Sequence, residues 1–333
     1  MSTLKANTIN NNGSAVDFPN SFKLGGNPIE QGYTSSATEP TSPNVGDLWW
    51  DSANAKLYQY LNGEFKEITI ASSGLDLSNA TYDSVSFSVS SQDNQPLGMA
   101  FNTDGTKMYI VGYNSGNIYQ YSLSTGFDLS TASYDSVSLD FSSEDALSRS
   151  VAFNTDGTKM YVLGDTNNRI YQYGLSTGFD LSTASYDSIS FDVSSENTGA
   201  QSIAFNTDGT KIYLLGSSGD SVYQYSLSTG FDLSTASYDS VSLDVSNEDT
   251  NPFALAFNTD GTKIILLGNA NDTIYQYRLS TGFDLSTASY DSISFDVSSQ
   301  DTNPVDVKVN SDVTKMYVLG YQNQTIYQYS TGL

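Results

Sequence analysis

Residues 149–164 read RSVAFNTDGTKMYVLG, and this stretch decides how the chain folds. Two short apolar runs, SVAF and MYVL, flank the polar NTDGT. Runs this short, bounded by turn residues, suit strands covered on both sides rather than helices. Asn, Asp and Gly tolerate the positive φ of a tight turn, so the two runs form a hairpin. Outward on the carboxyl side come IYQYGL (170–175) and YDSISFDVS (186–194). On the amino side, YDSVSLDFS (134–142) alternates, with Val137, Leu139 and Phe141 on one face. No segment shows a sustained helical period.

The pattern recurs every 52 residues. Tyr82, Tyr134, Tyr186, Tyr238 and Tyr290 mark it, as do Lys107, Lys159, Lys211, Lys263 and Lys315, and Gln120, Gln172, Gln224, Gln276 and Gln328. Four antiparallel strands in about 50 residues, repeated, are the signature of a β-propeller blade. AFNTDGTKMYV also resembles the A-F-x-P-D-G-x-x-x-Y-V phrase of propeller repeats. That resemblance implies an innermost strand A at 149–154, B at 159–164, C at 170–175 and an outer D at 186–194. The first copy then begins with a surplus D strand (82–90) and the last copy, 305–310, 315–320 and 326–330, lacks one. Residues 82–90 are therefore expected to complete that last blade, closing a ring of five and removing open edges. Complementary ends of this kind favour a ring over an open solenoid. Gly105, Gly157, Gly209 and Gly261 become Val313 in the last copy. Val suits a left-handed turn poorly, so that hairpin should differ, with drift as the plainest cause.

The 333 residues carry a formal net charge of −24, from 37 acidic and 13 basic side chains. So negative a surface repels phosphate backbones, and neither nucleic acid nor membrane insertion is expected. There is no Cys and no His, which removes disulfides, thiolate and imidazole metal sites and every His-dependent triad. The start of the chain lacks the apolar core of a signal peptide, and no apolar run approaches a membrane span.

Residues 1–45 are polar, with short apolar words around Phe18 and Phe22, and read as an extended segment. Residues 46–68 read as a small aromatic hairpin or three-stranded meander with Trp49, Trp50, Tyr58, Tyr60 and Phe65. A linker at 69–81 and the propeller at 82–333 complete the domain plan. EPTSPNVGDLWWDSANAKLYQYLNGEFKEI (39–68) resembles the P-x-x-x-G-D-L-W-x-D…L-Y-x-Y-x-x-G-x-W module of bacteriophage tail fibres and other virion proteins, with Phe65 at the final aromatic position. The opening MSTLKANTI…VDFPN is similar to the amino termini of structural proteins of marine phages, particularly those infecting cyanobacteria. The resemblance implies a virion protein of the tail or capsid surface, attached to other virion proteins through residues 1–68 and oligomeric, with three copies as the family's habit. Trp49, Trp50, Phe18 and Phe22 would then be attachment or oligomer contacts.

Asp128, Asp135 and Asp156 recur at fixed places, where paired carboxylates could do glycosidase chemistry or bind Ca²⁺. Repetition argues instead for turn formers, so neither a catalytic residue, a metal nor a cofactor is expected. The A–B turns and C–D connections are nearly invariant between copies. The B–C and D–A loops differ, and in an up-and-down blade these share one face of the disc. Loops on a rigid scaffold are the usual place for binding. The expected contact residues on that face are Tyr113, Asn117, Arg149, Asn167, Arg169, Asn271, Tyr321 and Asn323, a mix suited to a cell-surface glycan or protein. The leading expectation is a non-enzymatic receptor-binding tail fibre. The alternatives are a capsid or tail decoration protein and, less favoured, a secreted glycan hydrolase.

Overall fold

A computed structural model describes residues 75–113 and 115–331, together with 23–24, 27–28, 33–36, 38, 40–43, 47–51, 56–61 and 63–67. The chain divides into two units, residues 1–71 and 72–333.

The larger unit is a five-bladed β-propeller. Blade one runs Pro96–Phe101, Lys107–Gly112, Asn117–Leu123 and Ala132–Asp140, as strands A to D in antiparallel order. Blades two, three and four repeat it at 148–192, 200–244 and 252–296. Blade five takes Pro304–Val309, Lys315–Gly320 and Thr325–Ser330 from the end of the chain and Thr81–Ser88 from before blade one. Ile326 stands opposite Phe87 and Tyr329 opposite Tyr82. The ring closes as the surplus and missing strands require.

Strand B is almost wholly buried and strand A largely so, which explains their continuous apolar runs. Their side chains pack between neighbouring blades: Tyr161 and Leu163 of blade two join Ile203, Ile212 and Leu214 of blade three in one cluster. Strand D does not alternate simply. A bulge falls where strand C passes from Gln120 to Tyr121, with Ser136 at φ 58°, and it recurs in every blade. The C–D connection holds a short 3₁₀ turn, Leu129–Thr131, capped by Asp128, whose Oδ1 accepts the Ser130 N–H at 3.0 Å. Asp156 likewise accepts the Thr158 N–H at 3.0 Å in the A–B turn, where Gly157 alone takes the positive φ, 72°. Both carboxylates are turn formers, as their repetition indicates.

One clamp repeats across every blade boundary. Gln120 Nε2 donates to Asp135 within its blade, and its Oε1 accepts the Leu181 N–H from the next blade's C–D connection at 2.9 Å. The same bond joins Gln172 to Leu233, Gln224 to Leu285, Gln276 to Leu77 and Gln328 to Leu129. A buried bond of this kind contributes about 1 kcal/mol, and about 1–3 kcal/mol is lost if one partner is left alone. Leu75 and Leu77 are both buried. Residues 75–80, inside the stretch read as linker, thus serve as the C–D connection of blade five, with their own 3₁₀ turn Leu77–Asn79.

Val313 corrects the expectation of an altered hairpin. It takes a left-handed φ of 54° and keeps the turn bond from its N–H to the Asn310 carbonyl at 3.0 Å. The replacement is matched by its surroundings. At Gly157 an added Cβ would lie 2.4 Å from the Phe179 ring, and the other three turn glycines meet Phe127, Phe231 and Phe283 in the same way. Blade five has Leu75 at the place of that ring, and Val313 is buried in the same cluster as Leu75. Ile265 belongs to this cluster too, where four other blades place a tyrosine; Tyr109 OH, for example, donates to the Phe179 carbonyl. Val309, partly buried against it, replaces the phenylalanine on which those tyrosines pack, as Tyr109 does on Phe153 at 4.4 Å. Four substitutions therefore fill one wedge together.

The smaller unit contains a four-stranded sheet. Leu48–Asp51, Lys56–Leu61 and Glu64–Glu67 form the expected meander, and Tyr33–Ser36, from the segment expected to be extended, adds a parallel edge beside Leu48–Asp51. A two-residue pairing of Lys23–Leu24 with Asn27–Pro28 precedes it.

Candidate functional site

The backbone fixes which loops share a face. Tyr113 N–H donates to Gln95 O, and Asp165, Ser217, Asn269 and Tyr321 repeat this bond between the B–C and D–A loops of their blades. The A–B turn bonds instead to the C–D connection, Phe127 N–H to Gly105 O. The differing loops therefore lie together on one side of the disc.

Three of the eight expected contact residues gather near the axis there. The Arg149 guanidinium sits over the Tyr113 ring, 4.8 Å from its centroid. Its Nε donates to Asp165 at 2.9 Å and its Nη1 to Gln201 at 2.9 Å; Gln201 passes the chain on to Ser217. Tyr113 OH donates to the other Asp165 oxygen at 2.8 Å. Burial, with that carboxylate's help, pushes the Tyr113 phenol above its ordinary pKa. Tyr321 accepts from Gln95 Nε2 at 2.9 Å and packs with Tyr113 and Phe253 against the cluster containing Leu97 and Val305. Leu97, Arg149, Gln201, Phe253 and Val305 occupy one repeat position, so this end of the axis has five different side chains.

The other five are not part of that assembly. Asn167, Asn271 and Asn323 are one repeated role: each is exposed, yet donates to a D–A carbonyl and to a tyrosine hydroxyl of its own blade. Arg169 is paired with Asp192 at 2.9 Å, toward the outer strand. Asn117 is tied to Ser115. The loops also vary less than their letters. A buried Asp93, Asp145, Asn197, Asp249 or Asp301 anchors each, as when Asp145 accepts from Leu147, Thr166 and Asn167. The last residue of each B–C loop (Gly116, Asn168, Asp220, Asp272 or Gln324) has positive φ.

In the smaller unit Trp49 is turned inward. It stacks on Tyr58 at 5.0 Å, meets Phe65 edge-on at 5.4 Å and donates to the Ser36 carbonyl at 3.2 Å. Trp50 lies in the same strand, but its side chain, like Phe18 and Phe22, falls outside the described residues.

The opposite end of the axis holds a cavity of about 340 Å³, running from strand-A residues out to the A–B turns. Phe101, Phe153, Phe205 and Phe257 line it, with Ala100, Ala152, Ala204 and Ala256 beside them. Blade five breaks the pattern with Val309 and Lys308. Lys308 Nζ donates to Asp306 Oδ1 at 2.5 Å and to the Val307 carbonyl at 3.2 Å. Asp306 Oδ2 accepts the Met99 N–H at 2.6 Å, across the boundary between blades five and one. Burial pushes the Asp306 carboxyl above the ordinary range, against the pull of Lys308 and the Met99 and Val307 amides. The sequence reading missed this pair. Its signal was VDVKVN (305–310) at the place of LGMAFN (97–102), two charges in a strand otherwise apolar.

The repeated carboxylates have structural partners. Asp135 binds Lys107 at 2.7 Å, Asp187 binds Lys159 at 2.5 Å and Asp83 binds Lys315 at 2.6 Å. Among the described residues no group of three or more His, Cys, Asp or Glu side chains is arranged to hold a metal ion.

No protein-family sequence pattern matches the chain, and no curated protein matches it. Among solved structures it is similar to a functionally unknown protein from Desulfotomaculum acetoxidans, at 13% identity and a TM-score of 0.43, over 80% of this chain and 69% of that one. A putative 6-phosphogluconolactonase from Bacteroides uniformis gives 13% and 0.45, over 80% and 70%. The β-propeller domain of Myceliophteria thermophila Cps50 (Swd1) gives 10% and 0.43, over 71% and 84%. Likeness this distant carries nothing about function.

Proposed function

We propose that this is a non-enzymatic virion protein of a bacteriophage, a tail fibre or receptor-binding protein whose propeller offers one loop face to the host surface. The observation that carries the reading is the placement of difference. Identical joinery occupies the A–B and C–D side, while the B–C and D–A side brings Tyr113, Arg149, Gln201, Phe253 and Tyr321 to one centre. Aromatic rings beside an Arg and an amide are the side chains that dominate contact surfaces. The virion assignment rests on the likeness of residues 39–68 to tail-fibre modules. A capsid or tail decoration protein is the second reading, favoured by how many of the loop residues are already bonded within their own blades.

Labelled full-length protein should bind marine cyanobacterial cells, and Tyr113→Ala/Arg149→Ala/Tyr321→Ala should abolish that binding with the fold intact. Unchanged binding by the triple variant would sink the receptor reading. Density on the capsid lattice rather than the tail tip, in an image of the whole particle, would favour decoration.

A further inference from the structure

We propose that the axial cavity on the repeat face is a binding site for a small organic acid, one anionic head on an apolar body, with Lys308 as the residue that selects the charge. The cavity's volume, about 340 Å³, is within the range of small-molecule pockets. Strand-A phenylalanines and alanines of four blades, with Phe127 and Phe283, make an apolar sleeve, and the hydroxyl and amide groups of the A–B turns rim its mouth. Among the described residues Lys308 is the one charged side chain lining it. Its ammonium is held in place by Asp306 and the Val307 carbonyl, which use two of its three N–H donors. The third has no protein partner among the described residues. An anion accepting that donor would make a charge-assisted bond in apolar surroundings, where such bonds are strong. An organic cation would meet the ammonium instead.

The pair has a structural task as well, since Asp306 latches blade five to blade one through Met99 N–H. Blade two does the same with a neutral group: Ser150 Oγ accepts the Ile203 N–H at 3.3 Å. A latch therefore needs no charge, and the lysine placed inside the sleeve is what the latch leaves unexplained. The cavity lies on the opposite side of the disc from the proposed receptor face, so the two readings stand or fall separately.

The test is calorimetric titration of the full-length protein with octanoate, octanol and octylammonium. Octanoate should bind saturably, one per chain, and about tenfold or more tighter than either analogue. Lys308→Ala alone would strand the buried Asp306 carboxylate. The informative variant is Asp306→Ser/Lys308→Ala, which restores the Ser-Val-Ala of blade two. It should bind octanoate about tenfold more weakly while octanol binding is unchanged. No saturable octanoate binding, equal affinity for the three probes in the unaltered protein, or full octanoate affinity in the double variant would each overturn the proposal.

Discussion

At Gly157 the φ of 72° and the nearness of the Phe179 ring together exclude a side chain. Gly157→Val should therefore cost about 2–4 kcal/mol in urea unfolding, from overpacking and a strained left-handed Val. Adding Phe179→Leu, which copies the Leu75 arrangement of blade five, should recover more than about 1 kcal/mol of coupling energy. Additive effects would mean that Val313 and Leu75 are unrelated. The glycine turn was legible in NTDGT because local φ preferences show in single residues. The compensation was not, because Leu75 and Ile265 lie far in sequence from the Val309–Val313 hairpin and meet it only when the ring closes. The Lys308–Asp306 pair escaped because a charged residue in an inner strand has meaning only once the cavity it lines exists.

Among the elements, strands B, C and D of a blade are bolted together by a Lys, a Gln and an Asp. Burial pushes the Asp135 carboxyl up, but hydrogen bonds from Lys107, Ser122 and Gln120 together outweigh it and hold it below the usual carboxylate range. Asp83 and Asp239 are held down in the same way. A carboxyl depressed in the folded state contributes stability that is complete above its unfolded pKa, near 3.9, and is lost as pH falls through the folded value. Urea midpoints should accordingly fall as pH drops below about 4, and Asp135→Asn should flatten that fall. An unchanged acid limb in Asp135→Asn would contradict the assignment. The closing strand makes a second expectation. Removing residues 1–88 strips blade five of Thr81–Ser88 and bares the edge of Thr325–Ser330, so the shortened chain should self-associate or aggregate in sedimentation, whereas a persistent monomer would count against this closure. Strand order and closure were readable because a fixed 52-residue step carries every anchor along with it. The bulge at Ser136 was not, since nothing in a period-2 pattern marks where a register shift falls.

For the whole molecule, the fivefold step makes a ring and the departures from it make the candidate sites. One side of the disc varies among five copies of a loop, and its axis collects Tyr113, Arg149 and Tyr321. On the other, a single lysine interrupts a sleeve of Phe and Ala. Of the eight loop residues expected to make contacts, the sequence could not separate those three from the asparagines serving their own blades, because both kinds sit in polar loops. The most direct measurement compares two triple variants of the full-length protein in binding to marine cyanobacterial cells. One carries Tyr113→Ala/Arg149→Ala/Tyr321→Ala. The other carries Ser124→Arg/Ser176→Arg/Ser228→Arg, at exposed positions on the repeat face. Loss of binding in the first with full binding in the second is the expected result. Full binding in the first, or loss confined to the second, would contradict it.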